Sequence, residues 1–84
     1  MNIERVVWMD SNGLARWYTK AEVLHLLPVA TCTTVGFIMH ETDDALWLAL
    51  SYDHQDGDER HFDHVTVIPK LAITVREVLS ADAL

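Results

Sequence analysis

The sequence has little of what marks secreted or nucleic-acid-binding proteins. Its single cysteine, Cys32, cannot form an intrachain disulfide, so a reducing cytosol is the expected compartment. Basic residues are also scarce, with 6 Lys+Arg against 13 Asp+Glu and a net charge of −7. This balance argues against binding to the phosphates of nucleic acid and against docking on anionic membranes, since both need a basic surface.

Long apolar runs and a leader pattern are missing as well. No uncharged apolar stretch is long enough to span a bilayer, and residues 1–5 lead into a strand pattern rather than a signal sequence. We therefore expect a soluble cytoplasmic protein. The 84 residues, half of them hydrophobic, predict one domain over 1–84 with a frayed tail at 80–84. So small a domain buries limited surface and is expected to be only marginally stable alone. Association into a homo-oligomer is a common way to gain stability.

The chain is organised around an apolar hairpin within residues 32–52. Strands are predicted at 33–41 and 45–52, joined by an acidic Glu-Thr-Asp-Asp turn. Gly36 in mid-strand predicts a bend, a bulge or a close backbone approach. Further strands are predicted by β-branched and aromatic residues, over 4–9, 64–68 and 72–78.

One helix is predicted over 20–27. Thr19 and Glu22 have the spacing of a capping box, and Pro28 ends the helix. Because two turns are too short to be stable alone, the helix is expected to lie on the hairpin. The fold class is thus mostly β with one short helix, either a small five-stranded barrel or a strongly bent antiparallel sheet.

The hairpin is apolar on both faces, which predicts that both are covered. Alternation places Leu46 and Leu48 on one face and Trp47 on the other, and we assign Ile38 to the face of Trp47. This second face needs a further cover, such as a partner subunit. The interface candidates are Ile38, Trp47, Trp8 and Trp17.

The loop 53–64 is rich in Asp and His, which are metal-ligand types. The weak candidates for ligands are His54, Asp56, Asp58, His61 and His64. The glycine of this loop stands fifth rather than sixth, so the calcium-loop register fails. A solvated loop that keeps an apolar domain soluble is the favoured interpretation, and a metal site is the alternative. No cofactor is expected.

No catalytic residue is expected either. Cys32 has no neighbour that would acidify its thiol, and a buried small hydrophobe is its favoured role. The three tryptophans offer a stacking platform for a nucleobase. With so acidic a chain, core or interface aromatics are the favoured interpretation.

Three short motifs resemble a group of small uncharacterised bacteriophage and prophage proteins. These motifs are Val7-Trp8-Met9-Asp10-Ser11, Thr33-Thr34-Val35-Gly36-Phe37 with its acidic turn, and Ile68-Pro69-Lys70-Leu71-Ala72-Ile73. The resemblance covers most of the chain. It implies a phage or prophage context, hence the host cytoplasm, and no mechanism.

At fold level the order of elements is similar to an Sm-like or SH3-like barrel. A glycine-bearing strand pairs with a long apolar strand, and a short closing pair ends the domain. The chain lacks the arginine–glycine pair expected near Pro69 and the asparagine pocket of the hairpin turn, so RNA binding does not carry over from the resemblance.

The leading hypothesis is a non-enzymatic, phage-related small barrel that acts through protein–protein contacts, as a homo-oligomer with no identified further partner. The first alternative is an Sm-like nucleic-acid-binding protein that uses the tryptophans. The second is a metal-binding protein that uses the loop 53–64.

Overall fold

A computed structural model of the chain describes residues 1–81, which form one antiparallel sheet and one α-helix. The elements in chain order are β1 (Ile3–Asp10), α1 (Lys20–Leu26), β2 (Ala30–Glu41), β3 (Ala45–Tyr52), β4 (Phe62–Pro69) and β5 (Ile73–Ser80). A 3₁₀ turn at Gly57–Glu59 precedes β4, and a second at Lys70–Ala72 separates β4 from β5. The mostly β class with five strands and one helix is confirmed.

The strands lie in the order β4-β3-β2-β1-β5, and every neighbouring pair is antiparallel. Within residues 1–81 the two outer strands, β4 and β5, do not pair, so the described sheet is not closed. The tail was expected to begin at Ser80, which here is the last residue of β5. Ala81 follows in a turn, and residues 82–84 of that predicted tail lie outside the described part.

The core lies on one face of the sheet and is small. Its fully buried side chains come from three strands, and the partly buried Trp8, Ile38 and Ile73 pack against them. These buried residues are Val6, Leu46, Leu48 and Ile68. Leu46 and Ile68 both point into this core because they are directly opposite on β3 and β4, and directly opposite residues of a sheet share a face.

The predicted grouping of Ile38 with Trp47 is wrong. Ile38 is directly opposite Leu48 and so points to the core face, whereas Trp47 is opposite His40. Residue 39 has no partner between these two pairs, and this register shift is a β-bulge. Because one inserted residue reverses the alternation, the faces of β2 cannot be extrapolated along its whole length.

The close backbone approach predicted at Gly36 is confirmed. A Cβ atom at this position would lie 2.8 Å from the backbone oxygen of Ala49 and 3.3 Å from the Cβ of Leu48. The glycine therefore lets β2 and β3 come together at the point where their pairing begins.

A network of ion pairs crosses the core face at one end of the sheet. Arg76 of β5 donates from Nε and a terminal nitrogen to the carboxylate of Glu4, at 2.8 and 2.9 Å. It also donates to Glu41 at 3.0 and 3.2 Å, and Lys70 contacts Glu41 at 2.6 Å. Hydrogen bonds from Arg76, and then from Lys70, lower the pKa of Glu41 from its ordinary 4.5 to about 2. The carboxylates of Glu4 and then Glu41 raise the pKa of Arg76.

The helix has the predicted capping box. The Glu22 backbone N–H donates to Thr19 Oγ1 at 3.2 Å, and the Thr19 backbone N–H donates back to Glu22 at 3.3 Å. The expectation that the helix lies on the hairpin is wrong, since α1 contains no buried residue. The helix is instead held by its local caps, on a segment that leaves the sheet.

The molecule is elongated, with extents of 54 × 23 × 20 Å. Its radius of gyration is 16.5 Å, against about 12 Å for a compact domain of this length. Within residues 1–81, no helix is long and apolar enough to cross a membrane.

Candidate functional site

The segment between β1 and β2 projects from the end of the sheet. This segment, residues 11–29, is called the arm below. It leaves β1 after Asp10 and returns at Ala30, and these two residues are directly paired. The arm is therefore an insertion at the tip of a hairpin, attached at one point.

The arm exposes large apolar side chains that a compact protein would bury. Trp17 is fully exposed and Leu24 is 71% exposed. Three further side chains have much of their area in water, namely Leu14, Leu26 and Val29. Several large exposed apolar side chains on one short segment point to a surface for protein–protein interaction.

The second feature is a cleft on the sheet, with a volume of about 190 Å³. Its lining comes from β2, β3 and β4. The lining residues are Thr34, Val35, Leu48, Ala49, Leu50, His64 and Thr66, which together are called the cleft below. Leu50 is 61% exposed, so the cleft opens to water beside an apolar side chain.

The cleft lies where β2 and β3 separate. β3 pairs with β2 from Phe37 to Glu41, whereas residues 30–36 of β2 pair with β1 on their other side. Beyond Ala49, β3 continues alongside β4 through the pair Ser51 and Asp63. The two halves of the sheet thus diverge, and the cleft is the gap that the core does not fill.

The four interface candidates lie in different places. Trp8 is half-buried beside the core, and its indole Nε1–H donates to Thr34 Oγ1 at 3.0 Å. Ile38 packs against the same core, and Trp47 lies against His40 with ring centroids 5.0 Å apart. Trp17 alone of the four is on the arm and fully exposed.

The metal-ligand candidates are not brought together. His61 Nδ1 lies 2.8 Å from Asp53 Oδ2, and His64 Nδ1 lies 2.7 Å from Asp63 Oδ2. The His61 backbone N–H also donates to Asp53 and lowers the pKa of its carboxyl. No group of three or more His, Cys, Asp or Glu side chains within the described 81 residues could hold a metal ion. The five candidates His54, Asp56, Asp58, His61 and His64 all belong to this part of the chain.

Sequence reasoning missed Leu24 and Leu50 as exposed contact residues. Strand alternation places Leu50 on the same face as Leu46 and Leu48, and the helix that contains Leu24 is expected to lie on the hairpin. A signal was present for Leu24, because a seven-residue helix has too few side chains to cover both faces of a sheet. No comparable signal marks Leu50, since its exposure follows from the divergence of two strands.

Comparison with protein-family models, with curated proteins and with solved structures finds no match to this chain.

Proposed function

We propose that this protein is a non-enzymatic interaction module that works through protein–protein contacts as a homo-oligomer. One observation carries the proposal: the chain exposes more surface than a compact monomer does. Its accessible surface is 6320 Å², against about 5,100 Å² for a folded monomer of this mass. Large apolar side chains such as Trp17 and Leu24 contribute to this exposed surface, and association is the ordinary way to cover such side chains.

The non-enzymatic part of the proposal rests on the surroundings of the histidines. Among the hydrogen bonds of residues 1–81, His61 and His64 are joined to carboxylates on the surface and to no serine or cysteine. Cys32 lies within β2 as a free thiol. These surroundings support a binding role better than nucleophilic catalysis.

A barrel-like architecture and a phage context belong to the same proposal. The strand order β4-β3-β2-β1-β5, with a 3₁₀ turn before β5, supports an Sm-like or SH3-like arrangement. The ion pairs of Arg76 with Glu4 and Glu41 support a curved sheet, since they join β5 to β1 and β2 across the core face. The resemblance of the three sequence motifs to phage and prophage proteins supports action in the host cytoplasm.

The test is the mass of the protein in solution. Light scattering coupled to size exclusion, at tens of micromolar protein, is expected to give a multiple of the monomer mass. A strict monomer over this range would contradict the proposed self-association.

A second measurement tests the alternative that the protein binds nucleic acid through its tryptophans. Two of the three, Trp8 and Trp47, are half-buried, and their indoles contact other residues of the chain. We expect tryptophan fluorescence to stay unchanged when single-stranded RNA is added at low salt. Quenching that disappears at higher salt would favour the nucleic-acid alternative.

A further inference from the structure

We propose that the cleft of one copy receives the arm of a second copy, and that two copies exchange arms about a two-fold axis. This inference rests on the proposed self-association and specifies the two surfaces that make it.

The amount of uncovered surface fits such an exchange. The excess over a compact monomer is roughly 1,200 Å² per chain. A standard stable interface buries about 800 Å² on each partner. The uncovered surface of the chain, to which the exposed apolar side chains of the arm and Leu50 of the cleft contribute, is therefore large enough for a stable dimer.

The arm is opposite in charge to the rest of the chain. The arm carries Arg16 and Lys20 against Glu22, a net charge of +1, so the rest of the chain carries −8. Neither Arg16 nor Lys20 forms an ion pair within residues 1–81. The loop 53–63, which leads into β4 next to the cleft residue His64, has five acidic side chains and one basic. The basic arm of one copy is therefore attracted to the acidic body of another copy.

The size of the cleft fits one large side chain of the arm. An apolar cavity of about 150 Å³ is large enough to bind benzene, and the cleft has about 190 Å³. The arm offers Trp17 and Leu24 with little cover of their own. Buried tryptophans are frequent anchors of protein interfaces. We assign Trp17 as the side chain that enters the cleft, with Leu24 beside it as a second contact of the arm.

The topology allows the exchange to close at two copies. The arm is attached at Ala30 of β2, and Thr34 of the same strand lines the cleft. A two-fold axis that brings one arm to the partner's cleft also brings the partner's arm to the first cleft. The assembly is then complete, because no further arm or cleft is left uncovered.

The test uses three variants with the same change in charge: Leu24→Asp on the arm, Leu50→Asp in the cleft and Leu71→Asp as control. All three leucines are exposed, and Leu71 is fully so on the 3₁₀ turn at Lys70–Ala72. Circular dichroism is expected to show the same thermal transition for the variants in their monomeric state. Sedimentation velocity is expected to show a dimer dissociation constant raised more than about tenfold by Leu24→Asp and by Leu50→Asp, with little change for Leu71→Asp.

Mixing the two defective variants distinguishes arm-to-cleft contact from arm-to-arm contact. A mixed dimer has one intact contact, since the arm of Leu50→Asp and the cleft of Leu24→Asp are both unaltered. An equimolar mixture is therefore expected to dimerise more strongly than either variant alone. Adding salt is expected to weaken the wild-type dimer.

Three outcomes overturn the inference in different ways. If the wild type is dimeric and both variants remain dimeric, the arm exchange is wrong while the proposed self-association stands. If Leu24→Asp alone dissociates the dimer and the mixture shows no recovery, the arms contact each other and the cleft is not the receptor. A monomeric wild type removes the proposed self-association together with the inference.

Discussion

Arg76 joins the outermost strand to the core through a carboxylate that is almost fully buried. The side chain of Glu4 is 5% exposed, and both of its oxygens accept hydrogen bonds from Arg76. A buried carboxylate without a partner is costly, because its lost hydration is not replaced. The arginine therefore stabilises β5 on β1 by more than an exposed ion pair would.

Replacing Arg76 by Met is expected to lower the free energy of unfolding by about 3 kcal/mol, since Glu4 is then left buried and unpaired. The matched control is Arg5→Met, whose pair with Glu77 is exposed and 3.5 Å long. That change should cost at most about 1 kcal/mol. Urea denaturation of both variants measures the difference, and equal costs would show that Glu4 finds other partners.

Stability is expected to depend on pH through Glu41. Its folded pKa of about 2 is below the ordinary 4.5, so ionised Glu41 favours the folded state. That contribution is complete above about pH 4.5 and is lost as the pH falls towards 2. The partly exposed position of the side chain keeps the contribution small through solvent screening.

The measurement compares the melting temperatures of wild type and Glu41→Gln from neutral to acidic pH. The gap between them should be widest at neutral pH and should narrow as Glu41 is protonated. Asp43→Asn, in the same turn, is the control for general charge effects. A gap that stays constant through the acid range would contradict the ion-pair explanation.

At the scale of elements, the positions of the strands follow from local sequence. Which side chains of a strand point to the core does not. Alternating apolar residues and the acidic turn locate β3 at the predicted bounds, and the capping residues Thr19 and Glu22 locate the start of α1. The bulge between Ile38 and His40 has no comparable local signature. It depends on how two strands pair, and it reverses which side chains meet the core.

The close approach of β2 and β3 predicts a specific effect of glycine replacement. Gly36→Ala should lower the free energy of unfolding by about 1–3 kcal/mol, because its Cβ would press on the backbone of Ala49. Gly13→Ala is the matched control, since a Cβ there has no neighbour within 4 Å. Chemical denaturation of both measures the contrast, and a neutral Gly36→Ala would show that the strands can move apart.

At the scale of the whole molecule, the arm determines the shape. A short α1 with good caps and an apolar face is expected to pack on its own sheet, yet it has no buried residue. The radius of gyration of 16.5 Å is the consequence.

Small-angle scattering of the Leu24→Asp variant is expected to give a radius near 16.5 Å for the monomer, rather than the compact value of about 12 Å. The control replaces residues 11–29 by Asn-Gly, a two-residue turn that suits the directly paired Asp10 and Ala30. This shortened chain should have a clearly smaller radius. A compact radius for the Leu24→Asp variant would show that the arm folds back onto its own sheet.

The strands, the capped helix, the close approach at Gly36 and an acidic surface are predictable from the sequence, because these features depend on residues near one another in the chain. Where apolar side chains are left uncovered depends instead on tertiary contacts. The bulge of β2, the divergence of β2 from β3 and the projection of the arm arise from pairing between distant segments. The candidate site depends on all three, so of the four interface candidates only Trp17 belongs to it, and His64, a metal-ligand candidate from the sequence, lines its cleft.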